Sequence, residues 1–311
     1  MTVLISVCVC TFRRPEGLAR LLCSVGALEL PDNCCAEIVV VDNDPNTNLT
    51  ATTKAICSIK SKWPVKYFWE QRSGVSFARN RCLREAQGAF IAFIDDDEWC
   101  DKDWLVRLYA AQMRFSADAT FGPRLPVFSR VPPDWVVNSG VFHRTRFSSG
   151  QVIYWRQTCT ANVLMKRDLA LASDGFDPLF AASGGEDIDF FRTLEHRGAK
   201  FVWCDEAIVY ESVSSYRASV RYVLRRVFTN GQTYVRVLAK TGGAGTYLFF
   251  IFRGAVGLVV FFVTAILSAP VSRSASLRFV RRAFGDAGKM FAVLGRWRFE
   301  YGLSSKSQPD L

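Results

Sequence analysis

An α/β fold with a doubly wound, mostly parallel central sheet is the architecture this sequence predicts, and three observations carry it. Short apolar runs recur between turn residues, and two of them, Glu37–Asp42 and Ala89–Ile94, close on acids. The segments between them place apolar residues at helical spacing, and strand alternating with helix favours parallel pairing through crossovers, with helices on both faces of the sheet. Half of the 311 residues are hydrophobic, enough for a sizeable core. Val3–Cys10 is the first strand. Pro15 fits a first helical turn, and Leu18, Leu21, Leu22 and Val25 then recur at i, i+3, i+4 and i+7. Glu37–Asp42 and Val65–Trp69 are the second and third strands, Ser76–Gln87 a helix, and Ala89–Ile94 the fourth strand. Residues 123–158, broken by Pro123, Pro126, Pro132 and Pro133, read as a long irregular excursion of the kind that often serves as a lid. This excursion also holds His143, read as a surface histidine. Strand returns at Thr160–Met165 and at Lys200–Cys204; between them Gly184-Gly185 turns the chain into a short helix ending near Gly198.

The run Asp95-Asp96-Asp97-Glu98 is the most informative stretch. Four like charges repel unless a cation or a set of donors neutralises them. Oxygen ligands with no histidine nearby suit Mg2+ or Mn2+, which commonly take one or two carboxylates plus substrate phosphates. Ligands of open α/β sheets sit at the carboxyl ends of strands, where this run falls. Were the strand to continue into the triplet, Asp95 and Asp97 would point one way and Asp96 the other. The competing reading is a solvated acidic turn capping the next helix. Other classes find no support: no G-x-G-x-x-G follows the first strand, and ten cysteines without a C-x-x-C pair, beside two histidines, do not make a zinc site. The cysteines read as small apolar residues in a reducing compartment. No signal peptide is expected, because the chain opens directly on a strand-like run.

Charge is unevenly distributed. Residues 212–311 hold 15 Lys/Arg against three acids, whereas residues 1–211 carry a net charge of −2. The basic part also contains the longest apolar stretch, Tyr247–Ala269, interrupted only by Arg253 and long enough to span a bilayer. Basic residues flank it on both sides, Arg236 and Lys240 before, and Arg273, Arg278, Arg281 and Arg282 after, which runs against the positive-inside tendency of a single span. Gly254, Gly257 and Pro270 permit a bent or in-plane arrangement instead. The expectation is therefore a catalytic domain over 1–230 and a helical region over 231–311 that attaches to an anionic membrane surface; a buried hairpin of a soluble protein is the alternative. No helix-turn-helix, finger or aromatic–basic RNA motif is present, so nucleic acid is not an expected partner.

Six segments taken in order carry a resemblance: Ser6-Val7-Cys8-Val9-Cys10-Thr11-Phe12, Val39-Val40-Val41-Asp42-Asn43, Ala78-Arg79-Asn80, Asp95–Asp97, Gly184–Asp189 and Val209-Tyr210-Glu211. Over residues 1 to about 230 the chain resembles the family-2 glycosyltransferases of the GT-A fold, and its C-terminal layout is similar to bacterial exopolysaccharide enzymes of the succinoglycan type. The resemblance implies inverting transfer from a UDP-sugar, UDP-glucose as the first guess, to a polyprenyl-diphosphate-linked saccharide at the cytoplasmic face of a bacterial inner membrane. It implies Asp97 as a direct ligand of Mg2+ or Mn2+. It places Asp95 and Asp96 on the nucleotide-sugar side, Asp42 on the uracil or ribose, and Thr11 and Arg79 in the same pocket. Asp187 is the implied general base, with Gly185 and Glu186 beside the acceptor. The chemistry agrees: a departing diphosphate needs a Lewis acid, and an attacking hydroxyl needs a proton acceptor. Glu211 stands where many relatives carry a histidine ligand; it is either a carboxylate metal ligand or a residue behind the site. Two other classes stay open. A nucleotidyltransferase would bring a glycine- and basic-rich phosphate loop after the first strand, where Thr11–Pro15 offers Arg13 and Arg14 but no glycine. A non-catalytic sugar-nucleotide-binding membrane protein is the second.

Overall fold

The computed structural model describes residues 2–46, 49–137, 141–142 and 145–294. His143 and the final residues of the expected C-terminal region, 295–311, lie outside them. The described residues divide into two compact units, one drawn from 2–125 and 145–211, the other from 126–137, 141–142 and 212–294.

The first unit opens with strand β1 (Val3–Thr11), helix α1 (Pro15–Gly26), β2 (Cys34–Asp42), α2 (Leu49–Cys57), β3 (Val65–Trp69), α3 (Val75–Glu85) and β4 (Phe90–Phe93). These are the elements the apolar periodicity predicts, apart from α2, whose stretch has no clear apolar stripe. Next come β5 (Glu98–Cys100), helix α4 (Trp104–Arg114), which the acid run precedes as one reading of that run expects, and β6 (Ala119–Phe121); the two three-residue strands are absent from the sequence reading. The segment read as irregular contains β7 (Arg124–Phe128), the one-turn helix α5 (Asp134–Val137) and β8 (Val152–Ile153). Pro126 is accommodated because β7 is an edge strand, where a missing N–H breaks no ladder. Then follow β9 (Val163–Lys166), α6 (Arg167–Ala172), α7 (Glu186–His196), β10 (Phe201–Trp203) and β11 (Val209–Val213).

Eight strands form one sheet in the order β3-β2-β1-β4-β9-β6-β10-β8, and β5-β11-β7 form a second. The run β3-β2-β1-β4 is parallel, as expected; β9 reverses direction against both β4 and β6, so the sheet is mixed though rich in parallel pairs. Register decides where the site can lie. Thr11 stands opposite Asp42, and Cys8 opposite Phe93, so the carboxyl ends of β1, β2 and β4 share one edge. Beneath that edge Ile5, Val7, Val9, Ile38, Val40 and Ala92 pack with Leu18, Leu21 and Leu22 of α1 in a fully buried cluster. Burial of side chains this size contributes about 1.5–3 kcal/mol each and holds the edge rigid.

The second unit is built on α8 (Val220–Ser268) and α9 (Arg273–Phe291). The boundary expected at residue 230 falls inside α8, because the basic segment and the apolar stretch are parts of one helical run. The bend in that run is at Gly243 (φ 61, ψ −154), a backbone region reserved for glycine. Gly254 and Gly257, expected to permit a bend, are regular helix; they are small because Asp286 and Met290 of α9 pack directly on them. A smaller cluster of Val136, Phe142, Val213 and Val223 completes this unit.

Candidate active site

Strand β4 stops at Phe93, so the acid run does not continue a strand. Asp96 and Asp97 form a turn, closed by mutual bonds in which the Glu98 N–H donates to the Asp95 carbonyl (3.1 Å) and the Asp95 N–H to the Glu98 carboxylate (3.0 Å). The strand geometry behind the expected split, Asp95 with Asp97 against Asp96, is therefore absent. Asp96 and Asp97 share a cation instead, Arg14, whose Nη1 lies 3.0 Å and 3.2 Å from them. Asp95 lies between Arg79 (3.7 Å) and Arg124 (3.9 Å). Exposure separates their tasks. The side chains of Asp95 and Asp97 keep 38% and 21% of their surface, while Asp96 keeps 7% and Glu98 none. Only the first two can reach a ligand.

Asp96 is an anchor. Thr11 Oγ1 (2.9 Å), the Phe12 N–H (3.4 Å) and Arg14 all donate to it, which ties the end of β1 to the acid turn. Burial, with the charges of Asp97 and Asp95, pushes its carboxyl up to about 6 although Arg14 opposes the shift. Thr11, expected to line a nucleotide pocket, spends its hydroxyl on that anchor. Asp42 is likewise occupied. Buried at the end of β2, it accepts from Thr52 Oγ1 (2.8 Å), Tyr67 Oη (3.3 Å) and the Asp44 N–H (3.0 Å). Asp44 in turn holds Arg13 bidentately, at 2.7 and 3.0 Å.

Gly184 (φ 74) and Gly185 (φ 96) take left-handed backbone, which lets the chain turn sharply into α7. Glu186 and Asp187 thus sit in the first turn, where the positive end of the helix dipole favours carboxylates. Glu186 is buried and pairs with Arg79 of α3; its Oε2 has no hydrogen-bond partner among the described residues. Burial and the neighbouring Asp187 raise the Glu186 carboxyl to about 7, against the pull of Arg79. Asp187 is half-buried, with Oδ1 accepting from the Ile188 N–H (2.8 Å), and Asp189 is buried. Arg79 was expected beside the nucleotide. It is enclosed instead, reaching Glu186 with Nη1 and Asp95 with Nη2, and so joins the acid turn to the start of α7. Burial would lower its pKa, but Glu186 and Asp95 raise it, so the guanidinium stays charged.

Glu211, weighed as a metal ligand, pairs with Arg124 Nε at 3.1 Å. Sequence reasoning missed Arg124 entirely and Arg14 as a counter-ion. Arg14 had a signal, a cation just past the first strand at the edge where the acids emerge. Arg124 had none, since only the β5–β11 register brings Glu98 and Glu211 to it. Asn80 was quoted for resemblance alone; its amide clamps both backbone groups of Phe176 (2.7 and 2.8 Å) and fixes the loop leading to α7.

Among the described residues no three His, Cys, Asp or Glu side chains converge as a metal cage. Two partly exposed carboxylates beside arginines instead suit a cation shared between protein and phosphate oxygens.

Comparison with known proteins agrees with this architecture. The profile of Glycosyl transferase family 2 matches residues 6–169. The succinoglycan biosynthesis protein ExoM of Rhizobium meliloti is 35% identical over 306 residues, 97% of this chain and 96% of that protein. The mannosyltransferase PcManGT of Pyrobaculum calidifontis, solved with GDP-Man and Mn2+, superposes with a TM-score of 0.64 at 15% identity, covering 95% of this chain and 88% of its own. The S. aureus TarS 1–349 structure in complex with UDP-GlcNAc gives 0.55 at 17% identity, over 94% and 92% of the two chains. These two likenesses speak to the fold.

Proposed function

The chain belongs to glycosyl transferase family 2, and from that premise we propose that it moves a sugar, with inversion, from a nucleoside diphosphate donor to a lipid-linked saccharide during polysaccharide assembly. UDP-glucose is the first choice of donor, and a polyprenyl-diphosphate-linked oligosaccharide the acceptor. The similarity to a succinoglycan biosynthesis protein over nearly the full length supports the pathway class. The observation that carries the reading is Arg79, which touches Asp95 of the acid turn and Glu186 at the start of α7 and so brings donor-side and acceptor-side acids to one locus.

In this reading Asp97, with Asp95, holds Mg2+ or Mn2+. The bound cation supplies a Lewis acid for the oxygens of the departing diphosphate. Asp187 takes the proton of the acceptor hydroxyl as it attacks the anomeric carbon, and the half-buried position limits competing water. Glu186, held on Arg79, orients the first turn of α7 that carries it. Thr11, Asp96 and Asp42 keep the strand ends in register beneath the donor. The apolar stretch of α8 supports membrane attachment: the helix is long and apolar enough to cross a bilayer by length and composition, and most of that stretch is uncovered. The cytoplasmic face of a bacterial inner membrane is the proposed location because the nucleotide-sugar donor is made in the cytoplasm.

The test is purified protein with Mn2+, detergent-extracted lipid-linked saccharides as acceptor and a panel of UDP- and GDP-sugars, beside Asp187→Asn. Release of free nucleoside diphosphate supports the reading, pyrophosphate would point to a nucleotidyltransferase, and release of neither to a binding protein. For a positioned base, Asp187→Asn should lower turnover on the order of a hundredfold or more with donor affinity unchanged.

A further inference from the structure

Arg124, the first residue of β7, is placed as a ligand-binding cation rather than as filler between strands. Glu98 and Glu211 stand directly opposite each other in the antiparallel β5–β11 register. Like charges so placed repel, and both side chains are almost fully enclosed, Glu98 at 0% and Glu211 at 8% exposure. Arg124 lies against both, with Nη1 3.2 Å from Glu98 and Nε 3.1 Å from Glu211. Its Nη1 also lies 3.9 Å from Asp95, the most exposed carboxylate of the acid turn. Burial would depress the guanidinium, but Glu211 and Glu98 hold it charged.

A guanidinium offers five N–H donors in a rigid plane. Nε and Nη1 are committed to the two glutamates. Nη2 bonds no described residue, and the side chain keeps 15% exposure. Two buried acids therefore fix the fork while one nitrogen is left over beside the acid turn. Stability alone accounts poorly for this arrangement, because an apolar trio of similar volume commonly does as well as a buried ion triad. Phosphate is the ligand class that a charged planar donor with fixed orientation recognises best.

We propose that Arg124 donates from Nη2 to the diphosphate of the sugar donor, and that Glu98 and Glu211 are positioning residues that hold its fork in place. Glu211 then serves Arg124, and a cation at the acid turn would be held by Asp97 and Asp95 rather than by Glu211. This rests on the reading of the site as one for a nucleoside diphosphate sugar.

The experiment measures binding to the full-length protein in detergent with Mn2+ present. UDP and GDP are compared with uridine and guanosine by calorimetry, in wild type, Arg124→Met, Arg124→Lys and Glu211→Gln, each with its Tm. Arg124→Met should weaken the preferred diphosphate on the order of tenfold or more, the scale of one charge-assisted hydrogen bond, while the affinity for the nucleoside is unchanged. Arg124→Lys restores charge without the fork and should fall between. Glu211→Gln should give a smaller loss in the same direction. A lowered Tm with an unchanged ratio of diphosphate to nucleoside affinity would make the triad purely structural and overturn the proposal. Should Arg124→Met not fold, an unchanged ratio in Arg124→Lys and Glu211→Gln overturns it equally. Wild type that binds no nucleoside diphosphate would remove the site reading and this inference together.

Discussion

Replacing Gly17 by alanine tests whether the acid turn is rigid. Gly17 lies in the first turn of α1, and a Cβ there would fall 2.6 Å from the Asp96 carbonyl oxygen, 3.6 Å from the Asp96 carbonyl carbon and 3.8 Å from Asp97 Cα. Ordinary contact begins at 3.4 Å, so the helix and the turn must separate by roughly 0.8 Å. Both sides of the clash are backbone, and no side chain can swing away. Two terms oppose each other in stability: alanine gains about 0.8–1 kcal/mol of helix propensity, and overpacking costs about 1–3 kcal/mol. The net loss is then small, on the order of 1 kcal/mol. Activity should respond far more, because a displacement near 1 Å of a group at the reacting centre costs on the order of a hundredfold. The assay is initial rate of nucleoside diphosphate release beside Tm, with Gly198→Ala as control. Gly198 has φ +89 and nothing within 4 Å, so alanine there strains the backbone by about 1–2 kcal/mol without touching the site. Gly17→Ala should lose ten- to a hundredfold in rate with a modest fall in Tm, and Gly198→Ala should lose Tm alone. Near-wild-type turnover in Gly17→Ala would show that the acid turn absorbs the shift and that its position does not govern catalysis.

Asp96→Asn should flatten the pH dependence of stability. The carboxyl rises from 3.8 to about 6 on folding, so its contribution is complete below pH 4 and is lost as pH climbs through 6; the shift corresponds to about 3 kcal/mol. Denaturant titrations at pH 4 and 7 check this, and an identical slope in the variant would contradict the assigned cause. Phe252→Glu combined with Leu267→Glu should release the protein from anionic vesicles, because both side chains are more than 70% exposed on the apolar half of α8. Co-sedimentation unchanged after a salt wash would place the attachment elsewhere.

The parallel half of the fold was legible because β1, β2 and β4 are mostly buried apolar runs and α1 carries an apolar stripe, signals that reside in consecutive residues; α2, without such a stripe, was missed. The three-residue elements β5 and β6 have no room for a period, and β7 looks like loop because Pro123 and Pro126 punctuate a segment that only an edge strand tolerates. The same distinction governs the site. Asp95–Glu98 and Gly184–Asp187 are contiguous and were readable as chemistry-bearing. What each acid does was not, since that depends on partners 80 to 110 positions away: Thr11 for Asp96, Arg79 for Glu186, Arg124 for Glu211.

Charge explains why the division of labour among these acids had to come from the fold. Asp95, Asp96, Asp97, Glu98, Glu186 and Glu211 draw on Arg14, Arg79 and Arg124, and each arginine serves at least two of them. Burial, together with acidic neighbours, raises the carboxyls of Asp96 and Glu186 against the pull of their arginines. Among the acids of the turn, Asp95 and Asp97 keep the most access. In the proposed reaction a substrate bringing its own cation would meet those two where they face solvent. The arginines behind them keep the other acids from competing for it.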